Sequence, residues 1–261
     1  GHAPRNRGQG ASSRGYAHGR EFRVPPAHDD RKITLRRMGS CGFVASATAS
    51  RACVRKLSHG DDGLDREPSK GATCARVRVM DSAGVKAFFE RVSGDWDEMR
   101  SSFYNEGVID ALAVRAEIDV DSKVVDVGTG TGFIAAGLAP RAARVIGVDS
   151  SPGMLGVAAS NLSTLGISNT TLVEGRVDAL PLADNSVDAA VANMVLHHAP
   201  DPRAMLTEMA RVVRPGGMVA ITDGVEHSYE WMRTEQADLW LGFAEADIAQ
   251  FFTRSRLVEY G

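Results

Sequence analysis

Asp126, Gly128, Gly130 and Gly132 form the most chemically pointed spacing in the chain, in the run Val124-Val-Asp-Val-Gly-Thr-Gly-Thr-Gly-Phe-Ile-Ala135. Glycine has no Cβ to hold a ligand away from the main chain, and it takes the positive-φ conformations that tight turns need. The β-branched residues before the loop predict a buried strand over 123–127, and apolar Phe133 to Leu138 predicts a helix after it. Strand, glycine turn and helix together aim backbone groups and a helix N-terminus at a ligand beside the sheet's carboxyl edge. The same spacing also suits a turn that only packs a helix on a sheet. Gly130 to Ala135 even satisfies a dinucleotide pattern in a shifted register.

Further residues narrow the choice. Asp149 ends the run Arg144-Val-Ile-Gly-Val-Asp149, about 20 residues beyond the loop, the distance expected of a carboxylate that binds a ribose. Asn193 lies in the apolar run from Val187 to Leu196, and His197 and His198 follow it directly. An imidazole there can take a proton from an attacking hydroxyl, amine or carbon acid near neutral pH, or it can simply bond to loop backbone. Of the two, His198 is the candidate base. Asp201 before Pro202 reads as a helix cap.

The elements that must hold these residues alternate. Val85, Phe88, Phe89 and Val92 recur at helical spacing behind the cap Asp81-Ser82, and a second helix is expected over 106–117. Strands are expected at 145–148, 171–174, 187–196 and 218–222. The helices between them cover 153–165, ending at Gly166, and the stretch with Leu206, Met209, Ala210 and Val213, ended by Pro215-Gly-Gly. A helix over 227–240, another over 245–252 and a strand start at 256–260 complete the series. Helices of this length between strands imply right-handed crossovers and a doubly wound, mostly parallel α/β sheet.

The glycine loop, the two strand-ending acids and Arg211-Val-Val-Arg-Pro-Gly-Gly217 together resemble the class I S-adenosylmethionine-dependent methyltransferases. Asp178-Ala-Leu-Pro-Leu-Ala-Asp-Asn-Ser-Val-Asp188 and Leu196-His-His-Ala-Pro-Asp-Pro202 are most similar to the type 11, or ubiquinone/menaquinone-biosynthesis-like, branch. The resemblance implies a Rossmann-like fold with S-adenosylmethionine as cofactor. Gly128, Thr129, Gly130 and Gly132 would lie along its methionine part, and Asp126 would orient the loop or meet the ammonium. Asp149 would accept from both ribose hydroxyls, and Ser150 and Met154 would border the adenine. Asp178 and the Ala179 N–H would bind the adenine edge, and Asn193 would face the reacting methyl. Tyr104, in the lid-like leading segment, stands near the sulfonium or simply packs. A final antiparallel strand of the family has no counterpart in the sequence.

Composition sets outer bounds. Apolar content of 43% is ordinary for a globular chain of 261 residues, and no apolar run is long enough for a membrane span. Cys41, Cys53 and Cys74 have no metal-ligand spacing, so neither a disulfide framework nor a metal site is expected, and the core reads as cytoplasmic. The absence of cysteine beyond residue 79 argues against a metalloid acceptor, which prefers thiolates. Residues 1–79 carry 16 Lys/Arg against 7 Asp/Glu, leaving 14 against 26 for the rest. The acidic core is a poor partner for nucleic acid. The basic segment lacks periodicity and is expected to be a disordered extension, or one foreign to a native start near Met80 or Met38.

The expected organisation is therefore an extension over 1–79 and a methyltransferase domain over 80–261. The latter has leading helices to 120, a cofactor core over 121–224 and substrate-side helices beyond, in which Trp231 would wall the cavity. The expected reaction moves a methyl group to O, N or C of a small or lipophilic molecule, in a monomer or homodimer. The alternatives are a nicotinamide-dependent oxidoreductase and a non-catalytic cofactor-binding regulator.

Overall fold

The computed structural model describes residues 34–38, 42–49, 80–101, 103–255 and 257–258. Five parallel strands form its centre: β3 (Lys123–Val127), β4 (Arg144–Asp149), β5 (Thr170–Glu174), β6 (Val187–Asn193) and β7 (Val213–Gly224). They run in the order β7-β6-β3-β4-β5, so β3 has β6 on one side and β4 on the other. Successive connections leave β3 in opposite directions from the point between β3 and β6. A crevice opens there at the carboxyl edge.

Helices cover both faces because successive β-strand residues point to opposite sides. Val124 and Val145 join α3 (Gly107–Arg115) and α4 (Phe133–Leu138) in one core. Val125, Val127, Ile146 and Val148 join α6 (Pro202–Val212) and α8 (Glu245–Arg254) in the other. α5 (Pro152–Thr164) begins at the cap Ser151, whose Oγ accepts from the Met154 N–H. α1 (Ser82–Val92) and α2 (Trp96–Arg100) lead the domain, with α1 packed on α5.

Several expectations change. α6 ends at Val212 and the chain passes directly into β7, so Pro215-Gly-Gly lies within a strand rather than terminating the helix. The Val187 strand stops at Asn193, and Leu196–His198 forms a single 3₁₀ turn. Only α7 (Trp231–Glu235) is helical in the 227–240 stretch. Trp231 and Trp240 are 47% and 39% exposed there, so their bulk does not mark a buried helix face.

Two strands also arise where none was expected, β1 (Thr34–Met38) and β2 (Gly42–Ala49). β2 pairs antiparallel with β7 from Gly42 against Gly224 to Thr48 against Met218. β8 (Leu257–Val258) pairs with the far end of β2. The rest of residues 1–79, the three cysteines among them, lies outside the described residues, as does Tyr260. Among the described residues no helix is long and apolar enough to cross a membrane.

Candidate active site

At the crevice the glycine loop turns under the end of β3. Gly128, Gly130 and Gly132 all have positive φ, at 70°, 54° and 83°. A Cβ on Gly128 would stand 2.5 Å from a Val195 methyl, so close packing reinforces the conformational demand. The loop's N–H groups are used inside the protein. Gly128 and Thr129 donate to the Val148 carbonyl at 2.8 and 3.0 Å, and Gly130 donates to Asp149 Oδ2 at 2.9 Å. The expected row of free N–H groups is therefore absent at 128–130, and a ligand meets close main chain rather than the donors that cradle a pyrophosphate.

Asp149 takes one N–H on each oxygen, from Gly130 and from Ser151. Each carboxylate oxygen keeps a lone pair for a further donor, and the side chain borders the cavity. Burial pushes its acidity weaker than usual, against the opposing effect of those N–H groups.

The cavity has a volume of about 720 Å³ and runs from Asp149 to His198. Of the residues anticipated for cofactor, Gly128, Thr129, Gly130, Asp149, Ser150, Met154, Asp178 and Asn193 border it. Asp126, Gly132 and Ala179 do not. Asp126 is 1% exposed and accepts from Thr129 Oγ1 at 2.6 Å, so it shapes the loop from below. Gly132 precedes α4 and faces Ala158, bringing the turn against α5. The Ala179 N–H points back to the Arg176 carbonyl at 3.3 Å and closes a local turn. Asp178 is gripped by both Arg176 Nε and Nη2, at 2.8 and 2.7 Å, which holds it well ionised.

At the other end stand Tyr104, Asn193 and His198. Asn193 Oδ1 accepts from Thr222 Oγ1 at 2.6 Å, and burial pushes the Tyr104 phenol far toward its protonated form. His198 Nδ1 lies 3.1 Å from the Ala237 carbonyl. A carbonyl only accepts, so Nδ1 carries the proton and Nε2 keeps the lone pair. Burial, then the neighbouring His197, holds the His198 imidazole neutral.

His197 is not a wall of the cavity. Its Nδ1 lies 2.7 Å from Asp223 Oδ1 in the interior, and its Nε2 is 3.7 Å from Asp238 Oδ1. Burial disfavours charge on that ring, but the Asp223 carboxylate outweighs it and raises the imidazole's affinity for a proton. Trp231, expected in the wall, is exposed elsewhere.

The leading helices supply groups that sequence reasoning missed. Glu90 Oε2 accepts from Ser151 Oγ at 2.5 Å and from the Gly153 N–H at 3.0 Å. Asp97 accepts from Thr131 Oγ1, Asn161 Nδ2 and Arg100 Nε. Phe89 and Trp96 meet edge to face at 5.1 Å and close the cavity from above, with His198 against Phe89 at 4.8 Å. Asp223 and the cavity-lining Glu174 were discoverable in sequence, since each is an acid in the last residues of a parallel strand, as are Asp126 and Asp149.

Comparison with known proteins agrees with this geometry. A family model described as a methyltransferase domain matches residues 125–221. An arsenite methyltransferase of Halobacterium salinarum is 38% identical over 191 residues, 70% of this chain and 46% of that protein. A demethylmenaquinone methyltransferase of Clavibacter sepedonicus is 32% identical over 142 residues, 53% of this chain and 57% of that protein. The chain thus spans about half the length of these curated relatives. Among solved structures, a putative methyltransferase of Haloferax volcanii, in complex with a Trm112 activator, superposes with a TM-score of 0.56 at 25% identity. That superposition covers 64% of this chain and 75% of that one. Loop, strand order and relatives coincide: residues 125–221 match the methyltransferase-domain family, on a fold similar to that of the class I, S-adenosylmethionine-dependent methyltransferases.

Proposed function

We propose that this domain transfers a methyl group from S-adenosylmethionine to an O, N or C acceptor on a small or lipophilic molecule, with His198 as the proton-accepting group. The observation that carries the reading is one cavity with two unlike ends. A carboxylate with a spare lone pair on each oxygen, Asp149, stands at one end, and a neutral imidazole with its Nε2 lone pair, His198, at the other.

S-adenosylmethionine, when bound, supplies a methyl group activated on a sulfonium. Asp149 would hold the ribose diol through its two spare lone pairs, and the bare main chain at 128–130 would lie along the amino-acid part. Asp178, fixed by Arg176, would face the adenine. Phe89, Trp96 and Tyr104 exclude water from the acceptor end, and Asn193, held by Thr222, orients the acceptor. His198 Nε2 takes the proton that an acceptor hydroxyl or amine releases. The loop's engaged N–H groups speak against the nicotinamide alternative, whose pyrophosphate needs them free.

Arsenite is the second reading, favoured by the Halobacterium salinarum relative. Against it, residues 80–261 contain no cysteine to hold a soft metalloid.

Calorimetry with S-adenosylmethionine and with NAD tests the first step. Binding of the former alone is expected, weakened about 100-fold or more in Asp149→Ala, because two hydrogen bonds to a charged group contribute roughly 1.5–3 kcal/mol each. Transfer of labelled methyl to phenol, quinol, amine and arsenite panels then separates the two acceptor readings. Turnover on organic acceptors should fall about 100-fold in His198→Asn, the usual scale for a lost general base. Unchanged affinity in Asp149→Ala would remove the basis of the assignment.

A further inference from the structure

Behind His198, away from the cofactor end, lies a group of side chains that methyl transfer does not use. His197 and Asp238 are 7% and 4% exposed. Asp238 Oδ1 is buried and has no hydrogen-bond partner. It lies 3.7 Å from His197 Nε2 and 3.9 Å from His198 Nδ1, and the three atoms are within 4.8 Å of one another. A buried carboxylate oxygen facing two imidazole nitrogens is costly unless one ring is protonated or a cation stands between them.

Two details narrow what that is. First, the Asp223 carboxylate sits 2.7 Å from His197 Nδ1, so it fixes that nitrogen as the N–H and leaves Nε2 to coordinate. A carboxylate behind a histidine is the arrangement that orients and strengthens a metal ligand. Second, Ala237 adopts a left-handed backbone, φ 64°, which a residue with a Cβ rarely takes. This strained turn is what carries Asp238 inward. Strain of this kind persists where the surrounding structure holds it and clusters at ligand clamps.

We propose that His197 Nε2, His198 Nδ1 and Asp238 Oδ1 form a three-ligand site for a borderline divalent transition-metal ion such as Zn²⁺. Two imidazoles and one carboxylate suit that ion, at about 2.0–2.2 Å per bond. Tetrahedral bonds of that length set ligand atoms about 3.4 Å apart, so the two carboxylate–imidazole spacings contract by a few tenths of an ångström, and the two nitrogens, within 4.8 Å of each other, close up further as the rings turn onto the ion. Loading exchanges one His198 contact, since Nδ1 leaves the Ala237 carbonyl for the ion. The imidazole proton then resides on Nε2, which faces the cavity as a donor instead of a lone pair. Given the base assigned to His198 above, the ion inhibits methyl transfer instead of supporting it.

Binding is tested apart from catalysis. Untagged, metal-stripped protein is titrated with ZnSO₄ by calorimetry and with CoCl₂ by visible absorption. One equivalent of Zn²⁺ and the intense absorption of four-coordinate Co²⁺ are expected. Asp238→Asn and His197→Gln should each weaken Zn²⁺ binding at least 10-fold, while His227→Gln leaves it unchanged. S-adenosylmethionine affinity in each variant checks that it is folded. The Co²⁺ spectrum of the unsubstituted protein keeps the test decisive if a variant does not fold. Absence of that spectrum, or full Zn²⁺ affinity in folded Asp238→Asn, overturns the site. If methyl transfer itself is absent, the binding result still stands or falls alone.

Discussion

Asp126 shows how a single residue can shape the cavity's loop without bordering the cavity. Its carboxyl is fully interior, where burial pushes its pKa up to about 7 against the hydrogen bond from Thr129. A raised acid is favoured by folding only in its protonated form. Its contribution to stability is complete below about pH 4, declines as pH rises, and is lost above about pH 7. Asp126→Asn, which cannot ionise, should lack this decline. The difference in unfolding free energy between the variant and the unsubstituted protein should therefore shift in the variant's favour from pH 4 to 7 and then level off. Urea unfolding at closely spaced pH values measures it, and a flat difference across that window would show Asp126 ionised throughout. The residue's position before the glycines was plain in the sequence. Its role was open there, because whether an acid at a strand end faces ligand or loop depends on the direction of its oxygens.

At the scale of elements, the closure of the cavity depends on α1, and α1 depends on a few polar contacts. Only Phe88 of its residues is buried, so apolar packing alone holds it weakly. Glu90 replaces what packing does not supply by capping α5 through Ser151 Oγ and the Gly153 N–H, where the helix dipole favours a carboxylate. Lys86 adds an exposed pair with Glu174. Glu90→Gln keeps the shape and removes the charge; Glu90→Ala removes both. Amide exchange over 82–92 should quicken several-fold in the alanine variant and less in the glutamine one, with β3 and β6 unaffected. Uniform quickening across the sheet would mean that α1 is part of the global fold and not a separately opening cover. None of this was legible in sequence. Periodicity located α1 well, but Glu90 and Ser151 lie far apart along the chain, and no local pattern links them. The 227–240 stretch failed in the opposite way. Trp231 and Trp240 suggested a buried helix, whereas the chain there makes short turns, and one of them, at Ala237, carries Asp238 into the interior.

For the whole molecule, the question is what covers the edge of the sheet at β7. A doubly wound, mostly parallel sheet followed from strand and helix spacing, and the structure adds the order β7-β6-β3-β4-β5. Spacing within 80–261 offered no partner for β7 on its outer side. The partner comes from β2, over seven residue pairs between Gly42–Thr48 and Met218–Gly224. Its small and β-branched residues carry no alternation strong enough to stand out among the basic residues around them. A chain beginning at Met80 would retain the entire cavity lining and lose this cover. An uncovered strand with buried neighbours presents unpaired N–H and C=O groups to other molecules. The shortened protein should therefore bind S-adenosylmethionine with near-normal affinity when freshly prepared. It should also melt several degrees lower and associate with rising concentration. Thermal melts and light scattering on both lengths measure this. Equal melting temperatures and a concentration-independent mass would mean that β7 needs no partner and that the segment before residue 80 contributes nothing to the domain's stability.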